Sequence, residues 1–440
     1  QLTSTLWNRI SLTLALRRDG KSTFGSSQQF HYYPKAGLSY TLSDEEFMKG
    51  VKDIISNLRL RASYGEAGSP TLPGIYATNY LYGTGGFFDP WDRSSTANRN
   101  GFIGYRQGGL PADYNIVAGS DKIGPERSVE REIGIDLGFL DNRIGFEATY
   151  YYENMFDLIL DVPLAASTGF DMQLRNAGQM YNQGLELSLK ATPVLTDDFV
   201  WNFNFNFSTV TNKVTKLVGA DYVALNGGFV GIQNIAKQGY ELGVFYGVGF
   251  LRDENGNIVY SQWDPDYFNE DSTYGAIYYM KDGKKVYNDQ MEMGYVGAPI
   301  HDANLKIIGN PNPDFLFSFR SDLTFLKDFT FSFLIDAAWG FDVWNGTRGA
   351  LYNFGTHGDT EDRESNWVNE NGTQVQIVTR DENGNAVLEN ADKTEKYWTY
   401  ENGFYINEPH IQDGSFIKLR EVSLEYRWHG LQQWNINTVV

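Results

Sequence analysis

Residues 199–208 read FVWNFNFNFS, so that Phe199, Trp201, Phe203, Phe205 and Phe207 alternate with Asn202, Asn204, Asn206 and Ser208. A period of two puts the rings on one face of an extended strand and the amides on the other, whereas a helix would scatter them around its axis. The pattern recurs. Phe329, Phe331, Phe333, Ile335, Ala337 and Trp339 oppose Thr330, Ser332, Asp336 and Gly340, and Leu58, Leu60, Ala62 and Tyr64 oppose Arg59, Arg61 and Ser63. Ile10, Leu12, Leu14 and Leu16 repeat it, as do Ile133, Ile135, Leu137 and Phe139 against Glu132 and Asp136. Further strands are expected at residues 33–42, 143–152, 184–191, 315–325, 416–428 and from Trp434, about eleven in all. Several approach the ~9–11 residues with which a tilted strand crosses a bilayer.

The connections sort by length. Short ones fall at residues 43–56, 140–142, 192–198, 326–328 and 429–433, and long ones at 18–32, 66–126, 153–182, 209–314 and 341–415. Short and long alternate along the chain. An up-and-down barrel has this parity, because odd and even turns lie on opposite sides of the membrane, short in the periplasm and long outside the cell. A soluble sandwich has no reason for it, and loops this long count against a compact soluble domain. The expected fold is therefore all-β, a large antiparallel transmembrane barrel occupying residues 1–440. Trp7, Tyr40, Tyr64, Trp201, Trp339 and Trp428 near strand ends are candidates for interfacial girdles.

Composition agrees. The chain holds 29 Phe, 28 Tyr, 10 Trp and 46 Gly against 13 Pro, which suits strands with glycine-rich loops. Mean hydropathy is −0.41, and no run of ~18 apolar residues could form a spanning helix. A barrel strand shows lipid only every second residue, so this hydropathy is compatible with a membrane. A net charge of −19 argues against nucleic acid as a partner, since phosphate contacts require clustered Lys and Arg. Without cysteine there is neither a disulfide framework nor a thiolate metal site. Gln1 follows neither an initiator Met nor a secretion signal, and the last residues read as strand, so both ends are expected to be cut.

No catalytic constellation is legible. His31, His301, His357, His410 and His429 are scattered without ligand spacing, and there is no G-x-S-x-G elbow. Acidic pairs such as Asp264 with Asp266 and Glu361 with Asp362 lack a third supporting group and read as solvated loop carboxylates. No cofactor or metal site is read, and the chain is expected not to be an enzyme. Asn310, Pro311, Asn312 and Pro313 read as a rigid strand entrance, and Gly178 and Gly184 as bulge or close-approach positions. The sequons at Asn345 and Asn371 read as chance matches. The substrate-binding candidates are loop aromatics: Trp91, Tyr105, Tyr246, Trp263, Trp344, Trp367 and Trp398, with Tyr114 and Tyr267 among them. Their faces can stack on sugar rings while neighbouring Asn and Asp bond hydroxyls, and the same surface suits a protein lid or the packing of the loop itself.

Five blocks in order carry a resemblance: RRDGKSTFG at 17–25 with YYPKAGLSYTLSDEEFM and ISNLRLRASYGEAG after it; DNRIGFEATYYYENMFDLIL at 141–160 leading to NAGQMYNQGLELSL; QGYELGVFYGVGF at 238–250; IIGNPNPDFLFSF at 307–319; and DGSFIKLREVSLEYRW at 413–428. Together they resemble the SusC/RagA family of TonB-dependent outer-membrane transporters over nearly the whole chain. The resemblance implies about half of a roughly 22-stranded plugged barrel, with the plug and TonB box before Gln1 and the closing strands after Val440. It implies active import of oligosaccharides or oligopeptides across the outer membrane, in contact with its lipid, coupled to TonB and capped by a SusD-like lipoprotein. Where such proteins carry an Asp- and Gly-rich stretch, this one reads GYVGAPIHDANLKIIGNPNP, leaving Asp302 and Asn304, too few oxygens for calcium. The competing classes are a passive porin or adhesin barrel and a secreted carbohydrate-binding or glycan-degrading β-protein.

Overall fold

The computed structural model describes residues 1–69, 117–165, 172–227, 233–266, 276–287, 295–401 and 405–428, with positions 78, 84–85, 101–102, 168 and 438–439 between and beyond them. Its frame is one antiparallel sheet of wall strands: β1 (Leu2–Leu6), β2 (Ile10–Gly20), β3 (Phe30–Thr41), β4 (Ile55–Ser69), β5 (Glu126–Phe139), β6 (Ile144–Pro163), β7 (Met172–Leu195), β8 (Phe199–Ser208), β9 (Phe315–Phe325), β10 (Phe329–Trp339) and β11 (Phe416–Trp428). They pair in strict sequence order, and Thr438–Val439 adds a last rung beside β11. This is the up-and-down arrangement expected from the alternation.

Register carries the two-faced pattern from strand to strand, because residues opposite each other across a ladder share a face. Phe205 opposes Leu189 on β7 and Phe319 on β9, and Phe319 opposes Ile335 on β10. Asn202 opposes Asp322, which opposes Ser332. The rings interlock along the apolar face, with Phe203 at 5.8 Å from Phe319 and Phe319 at 5.8 Å from Phe333. Such aromatic pairs add about 0.5–1.5 kcal/mol beyond area burial.

At one end three of the strand pairs are joined by tight turns in the left-handed region, while β3 and β4 are joined by residues 42–54, which carry two short 3-10 turns. Trp7 and Asn8, Asp141 and Asn142, and Leu326 and Lys327 all have positive φ between 50° and 66°. Their twist matches that of the flanking strands, which offsets the roughly 1–2 kcal/mol such a conformation costs a non-glycine residue. The first turn shows a strand absent from the expected set. The alternation LTSTL is too brief to stand out, yet β1 pairs with β2 from Leu2 opposite Leu14 to Leu6 opposite Ile10. Trp7 sits in the turn, 77% exposed.

The segment expected as a loop at 153–182 is mostly ladder. β6 runs 20 residues and β7 24, pairing as far as Pro163 opposite Met172. Both outrun the ~9–11 residues of a bilayer crossing and project at the long-loop end. Thr211–Leu217 pairs with the projecting part of β7, and Val214 packs there with Val223 and Ala236. Gly178 sits at a register shift in this ribbon. At Gly184 a Cβ would lie 2.2 Å from the Thr209 carbonyl oxygen, so only glycine fits.

The two longest connections, residues 209–314 and 340–415, form a common cap. Tyr295–Val296 of the first pairs with Gln376–Arg380 of the second, and Ala386–Asn390 completes that sheet. Asn310, in the NPNP turn, takes the Asp342 carboxylate on its backbone N–H at 2.8 Å and donates its side-chain amide to Glu241 at 2.8 Å. Asn345, part of a sequon by pattern, caps the helix α1 (Gly346–Asn353) by accepting the Arg348 N–H at 3.0 Å. Among the described residues no helix is long and apolar enough to cross a membrane.

Candidate functional site

The polar face of the wall is built from charges that the strand register brings together. Arg59 and Arg61 of β4 converge on Asp136 of β5, at 2.6 Å and 2.8 Å, and Arg61 also reaches the Thr149 hydroxyl of β6 at 3.2 Å. The Asp136 side chain is only 6% exposed, so its charge depends on both guanidinium partners. A second network lies across β9, β10 and β11. Arg320 donates to Glu421 at 2.9 Å and to Asp322 at 3.1 Å, Ser332 donates to Asp322 at 2.6 Å, and Arg420 reaches Asp336 at 3.0 Å.

Between the networks the same face is acidic. Glu132 accepts from Ser63 at 3.0 Å, and Glu153 from Ser128 at 2.5 Å and Asn182 at 2.8 Å. Glu147, Thr149, Glu186, Ser188, Asn206 and Asp336 help to line a hollow of about 300 Å³ on this face. Hydroxyls, amides and carboxylates in rows two residues apart form a hydrophilic track along this face.

Of the aromatic candidates, Trp91 and Tyr105, like Tyr114 and Tyr267, lie outside the described residues. The other five are all in the cap, in separate surroundings. Trp367 is 1% exposed and packs with Tyr295, Ala298, Val375 and Ala391, its ring 5.6 Å from that of Tyr295. It is the core that joins the two loops. Trp344, half-buried, meets the His410 ring edge-on at 5.7 Å. Trp398, also half-buried, carries the Arg363 guanidinium 4.7 Å from its ring centre. Tyr246 lies 4.9 Å from Tyr222, with the Lys237 ammonium 5.5 Å from its own ring. Trp263 has its indole N–H buried without a partner among the described residues. None of the five lines the hollow in the wall.

The cap holds a polar core of its own. His410 is fully buried, with Nε2 3.0 Å from the Glu401 carbonyl oxygen and its ring 5.5 Å from that of Tyr352. Burial pushes its imidazole down to about 4. Burial pushes the Glu401 carboxyl up to about 7, opposed by Lys396 at 3.8 Å. The Tyr352 hydroxyl is raised by burial and by its hydrogen bond to Asp359 at 2.5 Å, while Arg348 donates to it at 2.6 Å. Periodicity identified the polar faces but not these networks, which depend on register between strands up to 101 residues apart.

A single-order antiparallel wall with one apolar and one polar face, tight turns at one end and folded loops at the other, is an outer-membrane type of β-barrel wall. The chain belongs to the family described as TonB dependent receptor-like, beta-barrel, which matches residues 1–298 and whose members are outer-membrane proteins. The SusC/RagA resemblance is borne out by relatives and by fold. The chain is 28% identical over 422 residues to TonB-dependent receptor P26 of Formosa agariphila, covering 94% of this chain and 37% of that protein. It is 28% identical over 268 residues to TonB-dependent receptor SusC of Bacteroides thetaiotaomicron, covering 59% and 25%. Among solved structures, the RagAB peptide transporter superimposes with a TM-score of 0.57 at 20% identity, over 95% of this chain and 39% of that one. The RagAB peptide importer in its open-open state gives 0.61 at 20% identity, over 97% and 39%. The chain thus spans from 25% to 37% of the length of these two curated relatives.

Proposed function

We propose that this chain is the wall and outer mouth of an importer that takes up oligosaccharides, or oligopeptides, through the outer membrane. TonB supplies the energy to the whole protein and a SusD-like lipoprotein closes it from outside. The observation that carries this reading is the cap: loops 209–314 and 340–415 interlock at the end of the wall where the strands project. Long loops face outward in such barrels, so a cargo meets the cap first and the polar track below it. A folded cap gives a lid a rigid rim to dock on, and passive diffusion would need no such structure.

The acidic stretch of the track, where Glu132, Glu147, Glu153 and Glu186 share one face, supports an uncharged or cationic hydrophilic cargo. Half-buried rings at Tyr246, Trp263, Trp344 and Trp398 supply stacking faces for sugars or for peptide side chains. The reading assigns no catalysis to this chain; hydrolysis belongs to other proteins. Uptake of labelled oligosaccharides and oligopeptides by cells carrying the full-length gene tests it, with and without TonB. Uptake that persists without TonB, or ohmic conductance of the purified protein in a planar bilayer, would establish a passive porin instead.

A further inference from the structure

Arg18 and Arg131 stand on the apolar face of the wall at the edge of its apolar side chains. Through the register, Leu14 opposes Ala36, Ala36 opposes Tyr64, and Tyr64 opposes Arg131, so Arg131 shares the face of the leucines. Arg18 follows Ile10, Leu12, Leu14 and Leu16 at the same spacing and opposes Tyr32. Each lies eight residues from the tight-turn end of its strand, beyond four apolar side chains: Ile10 to Leu16 for Arg18, and Phe139 to Ile133 for Arg131. At ~3.3 Å per residue and a tilt near 40° this is about 20 Å, close to the height of the apolar band of such barrels. Both guanidinium groups therefore reach the level where hydrocarbon gives way to headgroups.

Their surroundings are aromatic. The Arg18 guanidinium carbon is 4.4 Å from the Phe30 ring centre and 5.6 Å from that of Tyr32. That of Arg131 is 5.7 Å from the Tyr64 ring, and Tyr152 opposes it on the other side. Tyr152 in turn stacks on Tyr181 at 5.5 Å, continuing the girdle. Both arginines are exposed, and neither pairs with a carboxylate among the described residues. Arg127, nearer the long-loop end of β5, is held by Glu66 and Asp157, which shows what a satisfied arginine looks like here.

An unpaired guanidinium at the edge of a hydrocarbon layer needs an anion, and its planar fork matches two phosphate oxygens. We propose that Arg18 and Arg131 are phosphate-binding points for an anionic membrane lipid in the leaflet at the long-loop end, with Tyr32, Tyr64 and Tyr152 flanking the headgroup. The lipid's acyl chains lie on the leucine and isoleucine face below. This rests on the outer-membrane barrel reading.

The test uses the full-length protein in detergent, its folded state followed by heat-modifiable migration. Native mass spectrometry measures binding of dimyristoylphosphatidylglycerol and of dimyristoylglycerol, which has the same chains without phosphate. The phosphate lipid binds wild type preferentially. Arg18→Gln and Arg131→Gln each weaken it about fivefold and together roughly 30-fold, while lysine at both positions keeps most of the binding. Equal binding of the two lipids, no loss in the double glutamine variant, or displacement by inorganic phosphate at matched concentration overturns the proposal. Failure of the barrel reading looks different: the wild type then shows no heat-modifiable form and binds neither lipid.

Discussion

The carboxylate of Glu408 accepts the backbone N–H of Phe250 at 2.8 Å, from 158 residues further along the chain. Its other oxygen takes the Arg252 guanidinium at 2.5 Å, and Lys306 stands 3.6 Å away. One side chain thus ties the end of one long loop to the middle of the other, and Asn407 beside it accepts the Val248 N–H at 2.9 Å.

Glu408→Ala leaves the Phe250 N–H without its acceptor and removes the ion pairs to Arg252 and Lys306, which among the described residues keep only the Gly256 and Phe250 carbonyls. A loss of roughly 1.5–3 kcal/mol of cap stability is expected, as for a hydrogen bond to a charged group. Hydrogen exchange should rise at residues 248–252 and 405–410 while the wall strands stay protected. Unchanged exchange in both segments would show that the two loops are held together elsewhere.

The ring candidates divide by burial. Trp367→Ala empties the core between the loops and costs about 3–5 kcal/mol locally, visible as early cap melting in near-UV dichroism. Trp398→Ala and Tyr246→Ala leave the cap folded and weaken cargo binding about three- to tenfold, the range of one aromatic stack. Calorimetry on the full-length protein with the proposed lid measures this. Cargo affinity unmoved by both would remove these rings from the proposed site.

His410 and Glu401 make opposing contributions to the pH dependence of the cap. His410 has a folded value lowered from 6.5 to about 4, so its contribution is present above 6.5 and is lost as pH falls toward 4. Glu401 is raised from 4.5 to about 7, so its contribution is present below 4.5 and is lost as pH rises toward 7. Between 4.5 and 6.5 the two slopes cancel, and wild-type cap stability is nearly flat. Glu401→Gln uncovers the histidine, and stability then falls by about 3 kcal/mol on acidification from pH 6.5 to 4. His410→Gln uncovers the glutamate and reverses the slope. Proteolysis of the cap across pH reads both, and parallel profiles for the two variants would refute the pairing.

Asp136→Ala strands Arg59 and Arg61 on the polar face. Because the carboxylate is nearly buried while Arg59 is 47% exposed, the expected loss is roughly 1.5–3 kcal/mol, short of that for a fully buried pair. Unfolding in urea, followed by loss of heat-modifiable migration, should show a lowered midpoint. Arg59→Gln alone should cost less, since Arg61 keeps two contacts to the same carboxylate.

The amino-acid sequence by itself determined the wall from β2 onward: period-two alternation fixes which side chains share a face, and the parity of loop lengths fixes the up-and-down order. Both are local properties of strands and survive without knowledge of partners. It also placed Asn310 and Gly184 as architecture, because proline neighbours and absent Cβ atoms act within a few residues. Tertiary structure decided the rest. How far β6 and β7 project depends on pairing with each other and with Thr211–Leu217, an energy no single strand contains. Whether an aromatic is core, like Trp367, or half-exposed, like Trp398, depends on which distant loop covers it. Glu408 reads in sequence as one more acid in an acidic chain. Only closure of two loops around it makes it a buttress, because charge pairing is set by distance in space and leaves no periodic mark along the chain.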